Sequence, residues 1–292
     1  MAVAVDTIDF DAIERRERRR GAGGWGAVLI AALVSLIWLA PFYYLLVSVF
    51  KSSAEYGSGN PLALPQGLAP IIDNATRVWV DAQLASALFN SATYGLIGAS
   101  VAIFIAAMAA FGLTRLDFSG RTFWFMLIFS GTVFPFQMYL IPLFFTYQQI
   151  GILNTRFGMI LFYSAICVPF PVLVLRNFMA QLNREMDEAA RMDGANDWRV
   201  FLSIVLPNCK GPMLALFLLQ FTWIWNDLLF STVLGNTPEI RSVMNALQVF
   251  QGAYASVGPN ISLTGALIAS IPTVMLFFLL RRHFMSGLSV SA

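Results

Sequence analysis

The chain has 292 residues, of which 58% are apolar and only 12% charged, with a formal net charge of +2 and a mean hydropathy of +0.70. In soluble domains about a quarter of the residues are charged, so this composition excludes an ordinary soluble protein. Long uncharged runs approach or exceed the ~20 residues that a helix needs to cross a bilayer. The sequence therefore predicts an all-α membrane protein, a polytopic helical bundle rather than a β-barrel.

Six uncharged runs predict six transmembrane helices. In chain order we expect these helices near residues 26–50, 87–113, 122–145, 157–177, 213–234 and 262–280. Residues 1–24 then form an N-terminal tail, 25–284 the membrane domain with a loop at 184–207, and 285–292 a short C-terminal tail. Pro and Gly inside several spans indicate helices whose freed backbone groups are satisfied by neighbouring helices.

The positions of Lys and Arg predict the orientation in the membrane. With the N-terminus inside, fourteen of the 18 basic residues fall on the cytoplasmic side, and only Lys51, Arg77, Arg156 and Arg241 fall outside. Cytoplasmic segments carry the excess of Lys and Arg, so both termini are expected in the cytoplasm. The first apolar stretch exceeds the 7–15 residues of a signal-peptide core and predicts a retained anchor.

Residue counts exclude several kinds of chemistry. His283 is the single histidine, so a two-histidine zinc motif is impossible and a Ser-His-Asp triad would depend on that ring. A nucleotide-binding P-loop needs Gly-Lys-Ser/Thr, but Lys51 follows Phe50 and Lys210 follows Cys209. We therefore expect no enzyme, and no metal or cofactor bound by this chain.

The loop at 184–207 predicts two short helices joined by a turn at the membrane surface. A first helix over 184–192 is followed by Gly194, a residue type that ends helices in the left-handed conformation without steric cost. Asn196 or Asp197 suits the N-cap of the second helix. The pattern alone leaves two interpretations open: an amphipathic interfacial pair, or an element that docks on another protein.

The same loop resembles the cytoplasmic coupling loop of ATP-binding-cassette importer permeases. The stretch from Glu188 to Pro207 matches that family's motif of Glu-Ala-Ala, three residues, Gly, nine residues and Ile-x-Leu-Pro, and Asp193-Gly194-Ala195 matches its fuller form in carbohydrate importers. Other segments are similar to the second permease of the maltose and glycerol-3-phosphate type: Ala110–Leu116, Gly120-Arg121, Ile141-Pro142-Leu143, Gly151–Thr155, Trp225-Asn226-Asp227, Ile271-Pro272 and Gly287-Leu288. The similarity runs over 25–288, but 51–85 matches no motif. Ser289–Ala292 replaces a longer ending that reaches the ATPase in some relatives.

The resemblance implies a function and a set of partners. It implies the permease subunit of a binding-protein-dependent importer in the bacterial inner membrane, for a carbohydrate or related polyol. Its partners would be a sister permease, two ATPase subunits that use ATP with Mg, an extracytoplasmic solute-binding protein, membrane lipid and the substrate, but no nucleic acid. Coupling to the ATPase is implied for Glu188, Ala189, Ala190, Asp193, Gly194, Ala195, Ile204, Leu206 and Pro207.

Polar side chains inside the spans are candidates for the substrate path, because such groups are costly in lipid and face the bundle interior or a cavity. The candidates are Asn90, Tyr94, Gln137, Tyr139, Gln220, Trp225, Asn226 and Asp227. Amides and a carboxylate beside aromatic rings such as Trp223 would suit the hydroxyls and ring faces of a sugar. For each candidate, the alternative is an interhelical hydrogen bond that only holds the bundle together.

The stretch 235–261, expected outside the cell, carries apolar residues near helical spacing and predicts a short amphipathic element. This element either packs back into the bundle or approaches a solute-binding protein, and the sequence favours neither.

Two other functions have less support in the sequence. An ion-coupled secondary carrier needs intramembrane ionisable groups, of which Asp227 is nearly the only one, and a membrane-embedded enzyme needs catalytic clusters that the chain lacks.

The basic-residue asymmetry generates a topology test. Single cysteines at positions 118, 195 and 286 should react with a membrane-impermeant maleimide only from the cytoplasm, and those at 60 and 256 only from outside. Reaction of position 195 from outside would contradict the coupling interpretation, because an ATPase could not reach that loop.

Overall fold

The structure is a computed structural model that describes the backbone of residues 10–251 and 258–288. Side chains are described for 25–251, except residue 58, and for 258–281. The first part of the predicted N-terminal tail, labelling position 256 and the C-terminal residues 289–292 lie outside the described backbone. Nothing is concluded about the side chains at 282–288, which include His283.

Each regular element in the described ranges is helical, which confirms the all-α prediction. The helices are α1 (Phe10–Val49), α2 (Ser53–Ser58), α3 (Pro70–Asp81), α4 (Leu84–Arg115), α5 (Arg121–Val133), α6 (Leu140–Gln149), α7 (Arg156–Ile166), α8 (Pro169–Gln181), α9 (Glu185–Met192), α10 (Asp197–Val200), α11 (Leu206–Asn208), α12 (Lys210–Trp225), α13 (Leu229–Leu234), α14 (Val243–Ala246) and α15 (Pro259–Leu288). Two 3₁₀ turns cover Phe136–Tyr139 and Leu247–Phe250, and a π-helical turn covers Phe201–Val205.

Three straight stretches of helix are long and apolar enough to cross a bilayer: Trp25–Val49, Leu84–Arg115 and Pro259–Arg281. Three further candidates are bent pairs. The chain bends by 93° between α5 and the helical stretch Phe136–Gln149, by 42° between α7 and α8, and by 75° between Asp197–Asn208 and α12. Within the described residues, length and composition thus support three spanning helices, or up to six if each bent pair is one span.

The expectation of one continuous helix at 122–145, 157–177 and 213–234 is wrong, and each break has a local cause. Pro135 and Pro169 both lack a backbone N–H. Pro135 also disfavours helical geometry in the preceding Phe134, whose ψ of 132° is extended. The first therefore follows the end of α5, and the second begins α8. The third stretch breaks at 226–228, where the Asp227 side chain takes the place of a helical hydrogen-bond partner.

Helix α4 lies at the centre of the bundle and contacts α7, α8 and α12 along its length. Small residues allow this close packing: a Cβ atom on Gly95 would lie 2.7 Å from the Phe221 ring, and one on Gly98 would lie 3.0 Å from Tyr163 Cβ. One apolar cluster surrounds the first half of α4, and a second surrounds its last half together with α8 and the start of α12. Thus α4 joins the two ends of the molecule.

Helix α1 stands apart from this core and contacts α15 and α3. Its apolar side chains face outward over most of the spanning stretch, and none of the most apolar window is buried. An exposed apolar surface of this length suits lipid or another membrane-embedded chain rather than water.

Candidate functional site

The first half of the 184–207 loop is a short helix that ends in a specific turn. Helix α9 ends at Met192, and Gly194 follows with φ +83°. The Ala195 N–H donates to the Ala190 carbonyl at 2.9 Å, and the Gly194 N–H donates to the Arg191 carbonyl at 3.0 Å. These two bonds form a Schellman motif, which satisfies the last carbonyls of a helix. The predicted helix and the left-handed Gly194 are confirmed.

The second half begins with a side-chain cap. The Asn196 side chain accepts a hydrogen bond from the Arg199 N–H at 2.9 Å and so begins α10, as the sequence predicted. An exposed ion pair between Arg191 and Asp197, 2.7 Å apart, joins α9 to α10 across the turn. The angle between the two short helices is therefore set by local contacts.

The loop continues through a π-helical turn into the next span. The Leu206 N–H donates to the Phe201 carbonyl five residues earlier, a geometry typical of single π-turns at functional sites. Pro207 follows without a backbone N–H, and the Asn208 side chain donates to the Ile204 carbonyl at 2.7 Å. The chain then bends by 75° into α12.

The coupling residues divide into an outward and an inward set. Glu188, Ala189, Asp193, Gly194 and Pro207 are exposed, whereas Ala190, Ala195, Ile204 and Leu206 are half-buried. Of the inward set, Ala190, Ala195 and Leu206 pack against the core around the last half of α4. The motif thus anchors one face of the loop and leaves the other free.

Two large apolar side chains accompany the outward set. Met192 is 89% exposed and Trp198 is 54% exposed, on either side of the Gly194 turn. Trp and Met are enriched at protein–protein interfaces, so this face is a candidate docking surface.

Sequence reasoning missed an ion pair between α9 and α4. The Arg115 guanidinium lies 2.7 Å from the Asp187 carboxylate, and both side chains are buried. The sequence features that could have indicated this pair are an arginine at the end of a predicted span, Arg115, and an acidic residue directly before Glu188, Asp187. The sequence indicates Arg115 only as a cytoplasmic charge within the family-like segment Ala110–Leu116, because no local spacing relates it to Asp187.

A second candidate site lies at the break in the fifth predicted span. Asp227 follows α12 and caps α13: its carboxylate accepts hydrogen bonds from the Phe230 N–H at 3.3 Å and the Ser231 N–H at 3.1 Å. The Tyr163 hydroxyl of α7 donates to the same carboxylate at 2.7 Å. Asp227 therefore holds the break open and joins it to α7, and only Tyr163 was not among the predicted residues.

A cavity of about 810 Å³ opens beside this break. Gln137, Asn226 and Asp227 line it, together with the aromatic rings of Phe136 and Trp223. The two rings meet edge to face, with centroids 6.1 Å apart. Thus two broken spans, at 134–139 and at 226–228, meet at one cavity, and Phe136 is a lining residue that the sequence did not indicate.

Gln220 lines an adjacent cavity of about 450 Å³, which shares Phe136 and Trp223 with the first. The side chains of Gln137 and Gln220 make no hydrogen bond to any residue in the described ranges. Both amides are therefore available to a ligand. The Asn226 amide, by contrast, donates to the Thr222 carbonyl of its own helix at 2.8 Å.

Two predicted path residues lie away from this cavity. Tyr139 lines a separate cavity of about 420 Å³ beside Phe162. Trp225 is buried in the bundle, and its indole N–H donates to the Ala269 carbonyl of α15 at 3.0 Å. The structure brings neither residue to the cavity that Gln137 and Asn226 share.

Asn90 and Tyr94 are fully buried and hold the backbone of the segment after α13. The Asn90 amide donates to the carbonyls of Glu239 at 2.8 Å and Arg241 at 3.2 Å. The Tyr94 hydroxyl donates to the Ile240 carbonyl at 2.7 Å. These bonds fit the alternative in which such side chains only hold the bundle together. A role of Asn90 and Tyr94 in the substrate path stays a prediction.

The predicted amphipathic element at 235–261 contains α14 and the following 3₁₀ turn. Val243, Leu247 and Phe250 are buried in the core that surrounds the first half of α4. The described part of this element thus packs back into the bundle. Its residues 252–257 lie outside the described ranges.

Comparisons with known proteins place the chain in a family. Residues 98–290 match the family described as the binding-protein-dependent transport system inner membrane component. The chain is 34% identical over 278 residues to the diacetylchitobiose uptake system permease protein NgcG of Streptomyces coelicolor, with 93% of this chain and 88% of that protein covered. It is 27% identical to the probable starch degradation products transport system permease protein AmyC of Thermoanaerobacterium thermosulfurigenes, with 90% of this chain and 94% of that protein covered.

A solved structure shares the fold. A chain of a bacterial importer for the acidic polysaccharide alginate superposes with a TM-score of 0.78 at 22% identity, covering 91% of this chain and 98% of that chain. The protein belongs to the family of binding-protein-dependent transport system inner membrane components. It is the permease subunit of an ATP-binding-cassette importer, a membrane transport component and not an enzyme. Nothing in these similarities supports an ion-coupled carrier.

The geometry of Asp227 yields a test. Asp227→Ala removes the acceptor for two backbone N–H groups and one hydroxyl, so we expect about 1–2 kcal/mol of lost stability, as for other N-cap deletions, together with reduced transport. Asp227→Asn keeps acceptor capacity and should stay near wild type in thermal unfolding in detergent and in uptake. Tyr163→Phe, which removes one donor and leaves the two backbone bonds, should fall between them. An alanine variant with normal stability and uptake would contradict the capping role.

Proposed function

We propose that this chain forms half of the translocation path of a carbohydrate importer and receives its energy through the 184–207 loop. The importer would contain a sister permease, two ATPase subunits that bind ATP with Mg, and an extracytoplasmic solute-binding protein. The single observation that carries the proposal is the coupling loop: one face packs on the bundle, while Glu188, Ala189 and Met192 stand exposed. Relatives named for diacetylchitobiose and starch products support a carbohydrate substrate.

The exposed face of the loop suits the ATPase. Glu188 has no ion-pair partner in the described ranges, and a basic group on the ATPase would supply one. Ala189 allows close backbone approach, and Met192 and Trp198 supply apolar area that would be removed from water. Met adapts its shape to a partner surface, which suits a contact that moves during transport.

We take the six predicted spans as six crossings, with the 184–207 loop between the fourth and the fifth. Both termini and that loop would then lie on the cytoplasmic side, where an ATPase has access. The segment 235–250 would lie on the outer side, where the solute-binding protein would deliver its ligand. The fourteen-to-four distribution of Lys and Arg supports this orientation.

The proposed path runs along the cavity beside the helix break. The free amides of Gln137 and Gln220 would bind sugar hydroxyls, and the rings of Phe136 and Trp223 offer apolar surfaces for sugar ring faces. Asp227 is the one charged residue that lines the larger cavity, and three donors already surround its carboxylate. Because the described side chains that line that cavity include no cation, a neutral carbohydrate fits this lining better than an acidic one.

The proposed mechanism transmits movement rather than chemistry. ATP binding closes the ATPase dimer, and the docked loop moves with it. The bundle then turns from inward-facing to outward-facing, and the solute-binding protein releases its ligand into the cavity. Hydrolysis of ATP and separation of the dimer return the bundle to the inward-facing state.

Gly194 tests the geometry of the loop. No atom lies within 4 Å of a Cβ built at Gly194, so the cost of a side chain comes from φ +83° alone. Gly194→Val should cost roughly 1–3 kcal/mol of backbone strain and impair assembly with the ATPase or transport. Gly194→Asn, a residue type that tolerates the left-handed region, is the matched control and should retain most uptake. Equal uptake in both variants would remove the role assigned to this turn.

Glu188 tests the docked face. Because its side chain is exposed, Glu188→Lys should leave the fold and membrane insertion unchanged but weaken co-purification of the ATPase by tenfold or more, as expected for about 1.4 kcal/mol or more of binding energy. Asp117→Lys, a charge reversal at a side chain that is 99% exposed, is the control. Wild-type ATPase retention in the Glu188→Lys variant would refute the docking role of this residue.

A further inference from the structure

The ion pair between α4 and α9 differs from an ordinary surface pair. Arg115 Nε and Asp187 Oδ2 are 2.7 Å apart, with side chains only 3% and 6% exposed. Arg121 and Asp117, close by in sequence, have the same separation, but their side chains are 32% and 99% exposed. Surface pairs contribute little, whereas a buried pair cannot lose one partner without leaving an uncompensated charge. The two atoms are close but not aligned as a hydrogen bond, so Arg115 and Asp187 neutralise each other as a buried ion pair, and losing either would leave a buried charge.

Two hydrogen bonds tie the same helix ends together. Arg115 Nη2 donates to the Leu182 carbonyl at the end of α8 at 3.0 Å. Arg184 Nη2 donates to the Thr114 carbonyl in the last turn of α4, also at 3.0 Å. The last carbonyls of a helix lack partners within the helix, and guanidinium groups satisfy them well. The ends of α4 and α8 and the start of α9 thus form one joint.

Asp187 is the only buried residue of α9. The coupling residues Glu188 and Ala189 on the same helix face away from the bundle. Through the joint, the first turn of α9 is attached to α4, and Ala190 packs on the core, while the face with Glu188, Ala189 and Met192 stays exposed. A movement of α9 would therefore act on the inner end of α4.

Helix α4 is one continuous helix that is long and apolar enough to cross the membrane. Its 32 residues extend about 48 Å at 1.5 Å per residue. At the outer end, Asn90 and Tyr94 bind the carbonyls of 239–241, and the Ser91 hydroxyl accepts from the Val243 N–H at 2.8 Å. Among the long spanning helices, α4 is also the most buried. One continuous helix thus joins the coupling loop to the segment at the outer mouth.

We propose that Arg115 and Asp187 are positioning residues that transmit the movement of the coupling loop to α4 and, through α4, to the segment 239–243. The inference rests on the proposed function, because it takes the force on α9 to come from an ATPase. It adds a specific route: without the pair, ATP would still be hydrolysed, but the outer mouth would not respond.

A reporter at the outer mouth tests this route without knowledge of the substrate. Glu239→Cys places a thiol at an exposed position, and the native Cys167 and Cys209 are both buried. In the assembled importer in proteoliposomes, trapping with ATP and vanadate should change the rate of labelling by an external impermeant maleimide by about fivefold or more, the lower range of measured couplings between sites. Adding Asp187→Asn should abolish this change and leave ATP hydrolysis within about twofold of the reporter importer.

Asp117→Asn is the matched control, since it breaks the Arg121–Asp117 pair near the same end of α4 at a side chain that is 99% exposed, and it should preserve the full response. If Asp187→Asn prevents assembly, the double variant Arg115→Met with Asp187→Leu replaces the buried pair by apolar groups, which proteins often tolerate. Assembly without a response supports the proposal, and assembly with a normal response overturns it. A normal response in Asp187→Asn itself also overturns it.

The experiment distinguishes failure of this inference from failure of the proposed function. If the importer with the reporter alone responds to nucleotide and the Asp187→Asn importer responds equally, ATP coupling stands and only the route through Arg115 fails. If the importer with the reporter alone does not respond to nucleotide, the proposed coupling is wrong, and this inference, which depends on it, is wrong too.

Discussion

Every peptide N–H and C=O inside an apolar bundle needs a hydrogen-bond partner, because an unsatisfied group in hydrocarbon costs several kcal/mol. This constraint explains why several polar side chains of the spans bind backbone groups in or after the helix break at 226–228. Asp227 supplies the acceptor that the first turn of α13 lacks, and Asn90 and Tyr94 supply donors to the carbonyls of 239–241. These three polar residues of the predicted spans therefore satisfy backbone groups of the bundle.

The same constraint gives the cavity its shape. A continuous helix presents only side chains to its neighbours, whereas a break opens space and turns the chain. The breaks at 134–139 and 226–228 meet through the contact of Phe136 with Trp223. The amides of Gln137 and Gln220 make no hydrogen bond to a described residue, so these two groups can bind a solute. Non-helical backbone at membrane depth is tolerated where it lines a cavity, and this site agrees with that rule.

The shape of the coupling loop depends on contacts between residues close in sequence, whereas its attachment to the bundle depends on contacts between distant residues. The Schellman turn at Gly194 and the Asn196 cap involve neighbours within five residues. Local contacts of this kind do not depend on how the loop is attached to the bundle. The attachment depends instead on Arg115 and Asp187, which lie on different helices and meet as a buried ion pair.

The sequence by itself determined the features that depend on near neighbours and on overall composition. Apolar run length indicated the membrane helices, and the spacing from Glu188 to Pro207 indicated the family. The helix, left-handed glycine and cap at 185–199 followed from residue chemistry. Only the tertiary structure decided which polar side chains meet. The sequence grouped Trp225 with Asn226, yet the indole packs on α15 while the amide faces the cavity, because adjacent residues on a helix point in different directions. Tyr163 beside Asp227 and Arg115 beside Asp187 arise from helix packing between residues more than 60 positions apart, and no local pattern encodes such contacts.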